Sequence, residues 1–90
     1  MLTLHFDFEN LSDRQAFYRA LVQQSACPVD FGNNLDALWD WLTGGMLLPA
    51  TFYLAHADYA SESAEFAPVL ALLEEAQQQL EGELRLVRGE

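Results

Sequence analysis

The chain contains no lysine, and its only bases are Arg14, Arg19, Arg85 and Arg88. Fourteen Asp and Glu residues stand against these four, giving a formal net charge of −10. So few cations argue against direct nucleic-acid binding, which draws its affinity from Lys and Arg contacts to phosphate. Anionic membrane surfaces are disfavoured for the same reason. Cysteine is nearly absent as well: Cys27 has no second thiol to pair with, which favours a reducing compartment. No apolar run approaches the ~18 residues of a membrane span, and no basic segment leads into a hydrophobic one at the start. The expected location is therefore cytoplasmic, with no membrane partner. The signatures of a nucleophile elbow, a phosphate loop and a dinucleotide site are missing too.

What is present is a globular composition. Ninety residues, 51% of them hydrophobic, suit a single domain over 1–90 with one modest core. Residues 2–8 alternate apolar and polar side chains, the period-2 mark of a strand with one buried face. Ser12 and Gln15 form a capping-box pattern behind Leu11, and the helix that follows carries Phe17, Tyr18, Leu21 and Val22 inward, ending near Ser25. A second strand is expected over 49–55, a third over 83–88, and a long helix over 66–80 with Pro68 in its first turn and Gly82 beyond its end. Residues 56–65 read as a loop with one helical turn. Met46, Leu47 and Leu48 are expected to close the core before the second strand. Helical connections between consecutive strands predict an α/β fold: a three-stranded parallel sheet covered by about four helices.

The segment 34–45 carries the functional signal. Asn34 is an N-cap candidate, Gly44 and Gly45 a stop, and Leu35, Leu38 and Leu42 an inward face. At about 100° per residue, Asn33, Asp36, Asp40 and Thr43 gather on the opposite side. Trp39 borders that polar face; Trp41 flanks the apolar stripe and is read as core. Asp36 and Asp40 repel as like charges at i, i+4, at a cost of roughly 0.2–0.5 kcal/mol. Asp40 also sits in the last turn, where the helix dipole is unfavourable by about 0.3–1 kcal/mol. No Lys or Arg occurs between Arg19 and Arg85 to relieve either.

Two carboxylates four apart suit a glycosidase-type pair or a metal site as well as an interface. Acid/base work needs a buried carboxyl, however, and these face solvent. A metal needs converging ligands, and neither His5 nor His56 has a motif around it; both read as exposed residues, on a strand and in a loop. A protein interface fits better, with an aromatic anchor beside charges that await a basic partner. No catalytic residue, metal or cofactor is therefore assigned. Glu74, Glu75 and Glu81 lie off the apolar stripe of the last helix, as a solvated face or as an extension of the first acidic one.

The motif Gly32-x-Asn34-Leu35-Asp36-Ala37-Leu38-Trp39-Asp40-x-Leu42-Thr43-Gly44, with Glu74-Glu75-Ala76 in the last helix, resembles the barstar family of intracellular inhibitors of a secreted bacterial ribonuclease. The resemblance spans essentially the whole chain. It implies a protein that blocks a ribonuclease active site and performs no chemistry. Asp40 matches the acid that occupies the enzyme's phosphate site, Asp36 the second acid of that helix, and Thr43 a peripheral contact. Trp39, Gly44 and Glu75 match the neighbouring tryptophan, the glycine that ends the helix and an outlying glutamate. Departures from the pattern fall at Asp30 and Gly45, which replace aromatic contacts, at Asn33, which replaces a glutamate, and at Trp41, which replaces a small cysteine. The expected partner is a basic protein, a small secreted-type ribonuclease. The alternative is a divergent module for another basic protein without nuclease inhibition.

Overall fold

The computed structural model describes residues 2–25 and 34–89. In chain order they form β1 (Leu2–Asp7), α1 (Arg14–Ser25), α2 (Leu35–Asp40), a π-helical turn (Trp41–Gly45), β2 (Ala50–Ala55), α3 (Ala57–Ser61), α4 (Ala67–Gln79) and β3 (Leu84–Gly89). The strands pair in parallel in the order β1-β2-β3, with His5 opposite Tyr53 and Tyr53 opposite Val87. This is the α/β architecture expected from the alternation of strand and helix patterns.

Strands that follow one another without a jump need two right-handed crossovers running in the same direction, which puts every helix on one face of the sheet. Burial follows that rule. Leu4, Phe6, Phe8, Phe52, Leu54 and Leu84 are almost fully buried on the helix side, while Thr3, His5, Tyr53 and Arg85 are exposed on the other. The helices therefore cover one face of the sheet and not both, an uncommon arrangement for parallel strands.

The core lies between sheet and helices. α1 contributes Phe17, Tyr18 and Leu21; α4 contributes Val69, Leu70, Leu73 and Ala76; α2 and the π-turn add Leu38 and Leu42. Phe6 packs on Phe17 and Phe52 with ring centres 4.7 and 5.4 Å apart, and Phe8 packs on Phe66 at 5.2 Å. Burial of each such side chain contributes about 1.5–3 kcal/mol, so this face alone fixes how the helices sit.

Two local expectations shift. The Ala16 N–H donates to the Asp13 carboxylate at 2.9 Å, so Asp13 caps α1 in place of Ser12. A carboxylate caps as well as a hydroxyl and is also favoured by the positive helix end. Before β2 the chain leaves the helix at Met46 on extended backbone and bends at Leu48 and Pro49, so its side chains do not all turn inward. Met46 is buried and Leu48 packs on the core, but Leu47 between them is 70% exposed.

Candidate functional site

α2 starts where the sequence places it. The Asn34 side chain, on extended backbone, accepts the Ala37 N–H at 2.7 Å. Leu38 and Leu42 are fully buried and pin the helix, leaving Asp36 and Asp40 exposed on its far side. The helix does not stop at Gly44. It widens at Trp41 into a π-turn closed by the Met46 N–H on the Trp41 carbonyl at 2.7 Å. Asp40 thus stands a full turn before the helix end, and the dipole penalty expected for it weakens. The repulsion from Asp36 remains.

Trp41 is half-buried and anchors this turn. Its indole Nε1 donates to Ser25 Oγ at 3.0 Å, and that hydroxyl donates to the Leu21 carbonyl at 2.6 Å. The π-turn is thereby tied to the last turn of α1. Such single π-turns in helices recur at functional sites. Thr43, also half-buried, donates its hydroxyl back to the Trp39 carbonyl at 2.7 Å. Gly44 is exposed with open space around it.

α2 and α4 border a groove of about 690 Å³. Asp36, Asp40 and Glu75 supply its acidic lining; Leu35, Trp39 and Leu72 are among its apolar walls. Glu75 is thus brought to the two aspartates from 35 and more positions along the chain, while its neighbour Glu74 turns to β3 and pairs with Arg88. Among the described residues, Asp36, Asp40 and Glu75 take part in no ion pair. One cation does approach: Arg14 from α1 lines a smaller cavity of about 350 Å³ together with Asp36, but its guanidinium pairs with Glu65 at 3.6 Å. The run without Lys or Arg between Arg19 and Arg85 conceals this neighbour, which appears only because α1 and α2 line one cavity. Asp30 and Asn33 lie outside the described residues.

A second polar cluster was not foreseen. His56, read as a solvated loop residue, follows β2 in a left-handed conformation (φ 60°) with its Nδ1 2.7 Å from Asp7 Oδ1 and its Nε2 3.6 Å from Glu9. Asp7 also accepts the Glu9 N–H and the Asn10 side-chain amide. The hydrogen bond between them holds His56 above and Asp7 below their ordinary pKa values. The signal available in the sequence was positional: Asp7 ends one strand, His56 follows the next, and parallel register sets those ends side by side. Among the described residues, no group of three or more His, Cys, Asp and Glu is arranged to hold a metal, and no helix is long and apolar enough to cross a membrane.

Comparison with known proteins covers nearly the whole chain. The family model described as Barstar (barnase inhibitor) matches residues 1–88. A Bacillus subtilis (strain 168) protein named "Putative ribonuclease inhibitor YrdF" is 34% identical over 83 residues, covering 90% of this chain and 88% of that relative.

Proposed function

This chain belongs to the barstar family, and from that premise we propose that it inhibits a bacterial, barnase-like ribonuclease by presenting the groove between α2 and α4 to the enzyme's cationic active site. The observation that carries the reading is the convergence of Asp36, Asp40 and Glu75 on one groove with no ion pair of their own among the described residues. An active site that binds RNA phosphate presents Arg, Lys and protonated His in a fixed array. Asp40 takes the place of the phosphate, Asp36 pairs beside it, and Glu75 meets a cation at the far wall. Trp39 supplies a flat apolar surface on which a guanidinium stacks. Thr43 and Gly44 make up the rim, and the family resemblance adds Asn33 and Asp30 as further partner-binding positions. Inhibition follows from occlusion, and the protein performs no chemistry.

The acidic helix and the net charge of −10 also draw a basic partner in from a distance. Association is therefore expected to slow as salt is added, because screening shortens the reach of the field to about 10 Å at 0.1 M.

The test is a panel of small microbial ribonucleases, each assayed with and without the protein. Protection of RNA, abolished by Asp40→Ala and retained by Glu62→Gln outside the groove, supports the reading. An absence of inhibition across the panel overturns it in favour of a divergent module for another basic protein. The observation that favours this second reading is Gly45, which offers no side chain to a partner where the resemblance leads one to expect an aromatic contact.

A further inference from the structure

The two outer strands of a three-stranded sheet expose rows of unpaired N–H and C=O groups, which invite pairing with another chain. In this protein both edges are met by glutamine side chains from the helices. On β1, residues 2 and 8 turn their backbone N–H groups toward the β2 side, to the Pro49 and Ala55 carbonyls, so the intervening odd residues face outward. At His5, in the middle of that outer edge, Gln24 of α1 completes both bonds. The His5 N–H donates to Gln24 Oε1 at 2.7 Å, and Gln24 Nε2 donates to the His5 carbonyl at 2.8 Å. The carboxamide thus reproduces the donor and acceptor of a neighbouring strand. Further along the edge, the Asp7 carbonyl is taken by the N–H groups of Asn10 and Leu11. On the opposite edge, the Leu86 N–H donates to Gln77 Oε1 of α4 at 2.8 Å.

We propose that Gln24 is an edge lock that keeps β1 from pairing with β1 of a second copy of this chain, with Gln77 serving the same purpose on β3. The identity of the intruder follows from register. Antiparallel pairing of two β1 strands about a two-fold axis at His5 sets His5 against His5 and Asp7 against Thr3. No carboxylate then faces a carboxylate, so the acidic character of the chain does not by itself forbid this particular contact. The overall net charge opposes association at long range only, and salt removes that protection. The lock is what remains at short range. It stands apart from the acidic groove and does not depend on the proposed inhibitory function.

The experiment combines light scattering on a sizing column with amide exchange at single residues, at low and at raised salt. The wild type stays monomeric with the His5 amide protected. Gln24→Ala is expected to speed exchange of the His5 amide roughly tenfold at low concentration. At high concentration and raised salt the variant forms a dimer in which His5 protection returns. Gln24→Asn, one methylene too short to reach, should behave alike and guards against a helix effect special to alanine. Gln24→Glu keeps the acceptor for the His5 N–H and adds a charge to the edge; it should stay protected and monomeric. Exchange at Phe52 in the central strand reports that each variant is folded. A Gln24→Ala protein that remains monomeric throughout, or one that dimerises without restoring His5 protection, overturns the proposal.

Discussion

The six-membered ring of Trp41 lies against the α-carbon of Gly45, so that a Cβ placed there would fall 2.6 Å from Cε3 and 2.8 Å from Cζ3. Position 45 is therefore glycine for lack of room and not for backbone freedom, because among the described glycines only Gly82 has a left-handed φ. Gly45→Ala alone should cost about 1–3 kcal/mol, the usual penalty for overpacking. In a Trp41→Ala background the obstacle is gone, and the same change should become neutral or stabilising by up to about 1 kcal/mol. A double-mutant cycle by urea denaturation measures the reversal. Additive effects would show that the ring moves aside freely.

The same contact joins two departures from the family pattern. The glycine at 45 removes a rim side chain, and the tryptophan at 41 fills the space above it while bonding Ser25. The surface next to Asp40 is thus shaped from inside, by a ring packed on Gly45 and tied to Ser25.

The His56–Asp7 pair predicts a particular pH profile. His56 binds its proton more tightly folded than unfolded, so its contribution is full below its ordinary pKa of 6.5 and is lost as pH rises through the raised folded value. Asp7 works in the other sense: its contribution is full above 3.8 and is lost as pH falls through the lowered folded value. The pair therefore stabilises most between these limits. Melting temperatures of wild type and His56→Gln, followed from acid to mildly alkaline pH, should differ most inside that window and converge above it. Parallel curves would mean that the pair is not coupled to folding.

Much of the fold was legible because the patterns are strong and mutually consistent. The strict alternation of β1, the stripe of α4 and the Asn34 cap each match what their side chains do in space. The acidic pair on α2 was legible because Leu38 and Leu42 leave only one face free. Features that depend on distant chain segments were hidden. Periodicity sets Glu74 and Glu75 alike off the apolar stripe; only the family resemblance singles out Glu75, and the packing of α4 beside α2 brings it to the groove. Arg14 comes to Asp36 from another helix, and His56 finds Asp7 through strand register. The π-turn was hidden for a different reason: Gly44-Gly45 signals a helix end, and the signal does not distinguish a stop from a widened last turn stabilised by the Trp41 ring.

Leu38 links stability to the shape of the acidic face. It is fully buried on the helix that carries both aspartates. Leu38→Ala should cost about 2–5 kcal/mol, as other buried leucine truncations do, and should loosen α2 against the sheet. Denaturation gives the first quantity. The fluorescence of the half-buried Trp39 and Trp41 gives the second, with a red shift expected under native conditions. An unshifted spectrum would show that Leu42 alone holds the helix.

Asp40 should separate stability from binding by sign. In the free protein it faces Asp36 one turn away and has no cation paired with it among the described residues. Asp40→Asn keeps the shape and removes the repulsion, so the free protein should gain up to about 0.5 kcal/mol. If the groove meets a cationic active site, the same change strands enzyme cations in a desolvated interface and should weaken the complex by about 3–5 kcal/mol. Core residues give the opposite pattern, losing stability first and binding as a consequence. Chemical denaturation and titration calorimetry on the same variant distinguish the two. A loss of stability in Asp40→Asn would mean that this carboxylate is held by the protein's own structure, and that its place in the groove is not reserved for a partner.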